Sequence, residues 1–121
     1  MIETIPKHVN ADANLVRRGR FVDTKFVIAV GDIYYLIHVE QGRIGKIVSG
    51  PFLGSEHSFV LRAPHDVWGK FWQPLPPPGF NDIFALTKQK LMKIEGNLHP
   101  FMANLLYFKD VIAAPRKGAL R

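Results

Sequence analysis

The chain contains five histidines, and histidine is the side chain best suited to acid–base chemistry or metal binding near neutral pH. They are spread along the chain, at His8, His38, His57, His65 and His99. No two of them have the short helical spacing of a zinc site such as H-E-x-x-H, and the chain has no cysteine. The sequence therefore predicts no metal site, no disulfide and no thiolate catalysis.

A serine nucleophile with its partners could be assembled from Ser58, His57 and Asp66. His57 and Ser58 are neighbours in a predicted strand, so we expect their side chains to point to opposite faces and not to meet. The glycine-rich motifs that bind nucleotides are also absent from the sequence. We therefore predict no catalytic residue and no cofactor.

His38 is the one histidine for which the sequence suggests a role. It shares a face of a predicted strand with Tyr34 and Leu36. On that face it could bond the carboxylate or hydroxyl group of a ligand. The alternative is a partly exposed histidine with a structural role.

The length of 121 residues predicts one domain over 1–121, with a leading segment (1–19) that holds at most one short helix and a loose tail (116–121). The N-terminus lacks the apolar run of a secretory signal, and no apolar stretch reaches a membrane-spanning length. From these features we expect a cytoplasmic protein.

The formal charge of +6 would attract anionic partners such as nucleic acid, an acidic phospholipid surface or the phosphates of acyl-CoA. Basic residues cluster only near the two ends, and no recognition helix or RNA-binding aromatic motif accompanies them, which disfavours nucleic acid. Two interpretations stay open: transient contact with an anionic membrane surface, and simple solvation of the basic ends.

Branched and aromatic residues predict four strands in the first half of the chain, at 21–30, 33–40, 43–49 and 57–63. Short links, including the loop at 50–54, favour an antiparallel meander. Both faces of the second run are largely apolar, so we expect helices over one face of the sheet and partial shielding of the other.

Two helices are predicted after the strands. Pro64 opens the first, which ends before Pro74, and Asn81 or Asp82 begins the second, which runs to about Lys88. The proline-rich stretch at 74–79 predicts an extended loop between them.

The segment 90–108 changes within two residues from a short strand pattern to an apolar helix. Gly96 and Asn97 supply the turn, and Asn97 is a candidate helix cap. Apolar residues at steps of three and four predict one wide helix face, formed by Leu98, Phe101, Leu105, Phe108 and Ile112 and widened by Met102 and Leu106. We expect this helix to cover a sheet on one side and a ligand on the other, and to stop at Pro115.

This order of elements resembles the SCP2-like (sterol carrier protein 2) family over about 26–108. The resemblance rests on short matches along the chain: Phe26 to Ile28, Phe59 to Leu61, Asp66 with Trp68 and Phe71, Asp82 to Phe84, and Met92 to Asn97.

The resemblance implies an α+β fold, in which helices over one face of a curved, mainly antiparallel five-stranded sheet enclose an apolar tunnel for fatty acyl chains, sterols or similar lipids. With the His38 face included, the expected ligand-binding residues are Phe26, Ile28, Tyr34, Leu36, His38, Phe59, Leu61, Trp68, Phe71, Trp72, Phe84, Met102, Leu105 and Leu106. The competing interpretation is that these aromatic side chains simply fill the core.

Two departures from the family pattern affect the expected tunnel. Only about 20 residues precede the first predicted strand, which implies a more open tunnel or one closed by a second subunit in a homodimer. The prolines at 74–78 replace a short link and would reshape the mouth of the tunnel.

Three hypotheses about function follow. The first is a non-enzymatic carrier that binds a fatty acid, acyl-CoA, sterol-like molecule or other lipid and presents it to a partner enzyme or a membrane. The second is a small enzyme or accessory subunit for a hydrophobic or CoA-linked substrate, with His38, His65 or Asp82 as acid or base. The third is a protein-interaction module that docks through exposed aromatic residues.

Overall fold

Branched and aromatic runs form a sheet, and the later apolar segments form helices that pack on one face of it. The computed structural model describes residues 2–50 and 57–118. The strands are β1 (Asp23–Val30), β2 (Ile33–Glu40), β3 (Arg43–Ile44), β4 (Val48–Ser49), β5 (Phe59–Ala63) and β6 (Lys93–Gly96). After a 3-10 turn at Ile2–Thr4, the helices are α1 (Ile5–Asn10), α2 (Ala13–Arg18), α3 (His65–Phe71), α4 (Ile83–Lys88), α5 (His99–Ala103), α6 (Leu105–Ile112) and α7 (Pro115–Gly118).

The strand order is β3-β2-β1-β5-β6, and β4 also pairs with β2. The mainly antiparallel α+β fold is confirmed, but the predicted meander is wrong at its fourth run. β5 pairs in parallel with β1, with Val27 opposite Val60, because this position places Phe59 and Leu61 beside the apolar side chains of β1. The third run forms two short strands, so the described sheet has six strands where five were expected.

The two faces of the sheet have different residues. The covered face packs against the helices and carries Phe26, Ile28, Val30, Tyr35, Ile37, Val39, Phe59, Leu61 and Ala63. The open face carries Lys25, Val27, Ala29, Tyr34, Leu36, His38, Val60, Arg62, Lys93 and Glu95. Since successive residues of a strand point to opposite faces, these two sets cannot line one cavity.

The leading segment is more ordered than the sequence predicted. It forms two helices, and Ile5, Val9 and Leu15 bury their side chains in the core. Pro6 lies in the first turn of α1, where a missing N–H costs no helical hydrogen bond, so it starts this helix instead of breaking the segment. The Asp12 carboxylate accepts a hydrogen bond from the Leu15 N–H and caps α2.

The helices predicted after the strands are confirmed, and residues 74–79 are neither helix nor strand. The loop predicted at 50–54 lies mostly outside the described residues. At the turn before α5, Gly96 has φ +98°, and a Cβ there would come within 2.7 Å of the Ser58 carbonyl oxygen. Asn97 Oδ1 accepts a hydrogen bond from the His99 N–H, but Leu98 occupies the N-cap position of α5, so the predicted cap is one residue out.

The last predicted helix is interrupted at Asn104, whose side chain donates to the Pro100 carbonyl and whose backbone leaves the helical conformation. The expectation of a loose tail from 116 is also wrong within the described residues, because Pro115 begins α7. Arg116 Nε donates to the Phe71 carbonyl at 2.6 Å, and its guanidinium lies 4.3 Å from the Phe71 ring centre. These contacts tie the C-terminal segment to α3.

Candidate ligand-binding site

The centre of the covered face is filled by four fully buried phenylalanines. Phe59 stacks on Phe26 at 5.1 Å between ring centres, and it contacts Phe101 and Phe108 at 5.3 Å each. Rings at these distances attract one another and leave no room for a ligand between them. The filled-core interpretation therefore holds for Phe26 and Phe59, which were predicted to line the tunnel.

Other predicted residues are dispersed by the fold. Tyr34, Leu36 and His38 lie on the open face, across the sheet from Ile28 and Leu61. The structure thus divides the expected ligand-binding set between two sides of the sheet.

The expected ligand-binding role of Met102 and Leu106 does not fit their position on the outer side of α5 and α6. Met102 is 54% exposed and Leu106 is 71% exposed, because only the side of these helices that carries Phe101, Phe108 and Ile112 packs on the sheet. Leu105 and Phe84 lie between these extremes and pack partly buried against the core. Met102 and Leu106 therefore do not line an internal cavity.

A pocket opens at one end of the covered face, beside Trp68 of α3 and Trp72, which directly follows this helix. Its volume is about 340 Å³. We call it the indole pocket, and it is lined by Ile2, Glu3, Val30, Ile33, Tyr35, His65, Trp68, Gly69 and Trp72. Trp68 and Trp72 are thus the predicted residues that the structure brings together at an accessible site, while Phe71 of the same helix is buried in the core.

The two indoles are held rigidly. Trp68 Nε1 donates to the Ala29 carbonyl at 2.9 Å, and Trp72 Nε1 donates to the Ile112 carbonyl at 2.8 Å. The rings stack on each other with centres 4.8 Å apart. Since both polar N–H groups are satisfied by the protein, the indoles offer the pocket hydrocarbon surface and no unpaired donor.

Polar groups lie at the rim of the indole pocket. Glu3 and His65 are exposed and line it together with Tyr35. A hydrogen bond from its own backbone N–H lowers the pKa of the Glu3 carboxyl, so this group is charged at neutral pH. The pocket therefore combines an apolar wall with a few polar groups at its edge, which is the usual composition of a small-molecule site.

Sequence reasoning missed several lining residues. Ile2 and Glu3 lie in the leading segment, whose contacts are set by tertiary packing alone. Gly69 carried a usable signal, because a glycine inside a helix and between two tryptophans removes a side chain where one would otherwise stand. Tyr35 was assigned correctly to the face opposite Tyr34.

A polar cleft of about 360 Å³ surrounds His38, with Asp23, Thr24, Lys25, His57 and Ser58 as the other lining residues. His38 Nε2 lies 3.6 Å from Asp23 Oδ1, and the hydroxyls of Thr24 and Ser58 are hydrogen-bonded. His57 and Ser58, which were expected not to meet, both precede β5 and line this one cleft. Asp66 is not among its lining residues.

The three candidate acids and bases occupy separate sites. His38 lines the polar cleft, His65 lines the indole pocket, and Asp82 pairs with Lys109 at 3.0 Å beside α4. Across residues 2–50 and 57–118, no group of three or more His, Cys, Asp or Glu side chains could hold a metal ion. The same residues contain no helix with the length and hydrophobicity needed to cross a bilayer.

The architecture is similar to solved structures of sterol carrier proteins. It matches a crystal structure of sterol carrier protein 2 with a TM-score of 0.74 at 10% sequence identity, covering 96% of this chain and 93% of that one. The chain has the sterol carrier protein 2 fold. The SCP2 structure of the ubiquinone synthesis protein UbiJ also matches, with a TM-score of 0.63 at 10% identity and coverages of 94% and 91%.

The same fold occurs within a larger chain. A stereoselective inverting sec-alkylsulfatase from Pseudomonas sp. matches with a TM-score of 0.55 at 10% identity, over 87% of this chain but 15% of the enzyme. No protein-family model matches the sequence, and no curated protein matches it.

Proposed function

We propose that this protein binds a hydrophobic small molecule in the indole pocket and has no catalytic role of its own. The observation that carries the proposal is the pair of buried tryptophans, which form one wall of an accessible pocket. The volume of about 340 Å³ suits part of an acyl chain or a small polycyclic molecule. The sterol carrier protein 2 fold supports the same class of ligand.

The energy available is adequate for useful affinity. Burial of roughly 200 Å² of apolar ligand surface at about 25 cal/mol per Å² would supply about 5 kcal/mol before the costs of association. Because the indoles are already fixed by their hydrogen bonds, little further side-chain ordering is needed on binding.

Beyond binding its ligand, the protein would carry it to a partner. A ligand held at one end of the sheet could be presented in the cytoplasm to a partner enzyme or to an anionic membrane, and the formal charge of +6 favours the latter contact. A second copy of the chain would be a further candidate to cover the open pocket.

Tryptophan fluorescence tests the proposal directly, because Trp68 and Trp72 are the two tryptophans of the chain and both line the indole pocket. We expect dodecanoate, dodecanol or ergosterol to change the emission saturably at micromolar concentration. Absence of saturable binding by all three would contradict the proposal.

A matched pair of variants locates the site. A Cβ at Gly69 meets no atom within 4 Å, so Gly69→Leu should place a larger side chain in the pocket without a clash, and Gly69→Ala should leave most of its volume. We expect Gly69→Leu to weaken binding at least about tenfold and Gly69→Ala to have little effect, since lost pocket volume removes apolar contact. Equal affinities in both variants would place the ligand elsewhere.

The second candidate is an enzyme or accessory subunit, which the polar cleft favours because a histidine, a carboxylate and a serine line it together. Its test is turnover of a hydrophobic ester by the wild type and its loss in His38→Gln. Binding that is intact with no turnover would support the carrier role.

A further inference from the structure

A basic cleft lies at the end of the sheet where the β1–β2 turn, the end of β5 and the link between α4 and β6 meet. Its volume is about 480 Å³, larger than that of the indole pocket. The residues that line this basic cleft are Gly31, Asp32, Arg62, Ala63, Pro64, Lys90, Leu91 and Lys93. It shares none of them with the indole pocket.

Arg62 is fixed at the cleft from one side. Its Nη1 donates to the Tyr34 hydroxyl at 2.6 Å, its Nε donates to Glu95 at 2.9 Å, and the guanidinium lies 5.1 Å from the Tyr34 ring centre. These two bonds use two of the five N–H donors of arginine. The remaining donors keep a defined direction, which suits a planar or tetrahedral oxyanion.

Two lysines add charge that the protein does not neutralise. Lys90 and Lys93 are exposed, and neither forms an ion pair within residues 2–50 and 57–118. Lys90 adopts φ +62°, a left-handed backbone conformation that non-glycine residues seldom take. The lining residues include the cations of Arg62, Lys90 and Lys93 and one carboxylate, that of Asp32, while Glu95 pairs with Arg62 from outside the lining.

The rest of the cleft is apolar. Ala63, Pro64 and Leu91 contribute hydrocarbon surface next to the cationic groups. A small hydrated ion would leave this surface unused, whereas an anion attached to an apolar group would bury it. We propose that the basic cleft binds an amphipathic anion, in which a phosphate or carboxylate is joined to an apolar group.

The first probe is 1-naphthyl phosphate, which combines an apolar ring with a phosphate and whose own fluorescence anisotropy reports binding. We expect saturable binding at low salt, competition by inorganic phosphate and much weaker binding of 1-naphthol. Lys90→Gln should weaken the affinity about tenfold, since it removes one charge-assisted contact. Absence of saturable binding would overturn the proposal.

Lys88→Gln is the matched control. Lys88 is an exposed lysine two residues away, outside the cleft, and its replacement changes the net charge equally. If Lys88→Gln weakened binding as much as Lys90→Gln, the attraction would be non-specific and the proposal would fail. Gly69→Leu should leave this affinity unchanged, which separates the basic cleft from the indole pocket.

Lys90→Gly separates binding from folding. Glycine adopts positive φ without strain, so this variant should melt at a higher temperature than the wild type and still bind 1-naphthyl phosphate about tenfold more weakly. Unchanged affinity in a well-folded Lys90→Gly protein would overturn the role of Lys90.

Vesicles distinguish the two sources of such an anion. Cosedimentation with phosphatidylcholine vesicles that contain phosphatidic acid, reduced by Lys90→Gln and absent without phosphatidic acid, would assign a lipid headgroup. Binding of 1-naphthyl phosphate with no vesicle binding would assign a free organic phosphate. Either result supports an anion site in the cleft.

Discussion

The two faces of the sheet use their side chains in opposite ways. On the covered face, the rings of Phe26 and Phe59 pack against each other and against the helices. On the open face, Tyr34 and Arg62 flank Ala29 from the two neighbouring strands and join above it through a hydrogen bond. The phenylalanines of the covered face stabilise the fold, whereas Tyr34 and Arg62 on the open face remain accessible to solutes.

The comparison shows where a binding site can form in this small fold. Apolar side chains at the centre of the covered face pack against one another and leave no space for a ligand. Open space remains at the end of the sheet, beside Trp68 and Trp72. The abundance of aromatic residues therefore indicates a core, and the absence of a side chain at Gly69 indicates a pocket.

The largest expected change in stability is at Phe59, and the adjacent Val60 of β5, which points to the opposite face, is its control. Phe59→Ala should lower the free energy of unfolding by about 3–5 kcal/mol, because it leaves a cavity among three aromatic rings. Val60→Ala, on the open face, should cost about 1 kcal/mol or less. Urea denaturation of both variants measures the difference, and equal losses would contradict the assignment of the faces.

A smaller effect is expected at Tyr107, which is buried on the covered side and donates to the Gly42 carbonyl at 2.7 Å. Tyr107→Phe should cost about 1–2 kcal/mol in urea denaturation near pH 7, since it leaves that carbonyl without its partner. A cost near zero would show that this hydrogen bond contributes nothing to stability.

Tyr107 also makes the stability of the protein depend on pH. Burial raises the pKa of its phenol above the ordinary value. Above about pH 10 the unfolded chain loses this proton while the folded protein retains it, so stability falls as pH rises. Denaturation midpoints between pH 8 and about pH 11 should fall more steeply for the wild type than for Tyr107→Phe. Parallel curves would contradict the burial of this phenol.

Gly69→Ala should raise stability by about 0.5–1 kcal/mol, because alanine is the better helix former and its Cβ meets no other atom. Thermal unfolding would measure the gain. A loss of stability would mean that the space beside Trp68 and Trp72 is filled.

The smallest effect is expected on the open face, at the exposed ion pair between Arg62 and Glu95. Glu95→Gln should change the free energy of unfolding by less than about 0.5 kcal/mol, since solvent screens such pairs. A loss comparable to that of Phe59→Ala would show that the open face is as important for stability as the core.

Local sequence signals predicted the local elements well. Pro64 and Pro74 bounded α3, Asp82 preceded α4, and Gly96 with Asn97 marked the turn before α5. Pro64 and Gly96 act through their own backbone dihedrals, and Asn97 acts through a hydrogen bond to a backbone N–H two residues on, so no distant contact is needed to interpret them.

Long-range features were harder to predict. The strand pattern of β5 fits a place beside β4 as well as one beside β1, and the choice depends on which neighbour buries Phe59 and Leu61. Met102 and Phe101 are both apolar residues of α5, but which of them packs on the sheet depends on the orientation of the helix. The division of the predicted ligand-binding residues between two faces has the same origin.

The most direct test of the indole pocket is a titration followed by nuclear magnetic resonance of the two indole N–H groups. Both are held by backbone carbonyls, at Ala29 and Ile112, and should give two sharp signals in the unliganded protein. We predict that dodecanoate shifts both signals saturably in the wild type and in Gly69→Ala but not in Gly69→Leu. Saturable shifts confined to other residues, with both indole signals unmoved, would contradict the assignment of this pocket as the ligand site.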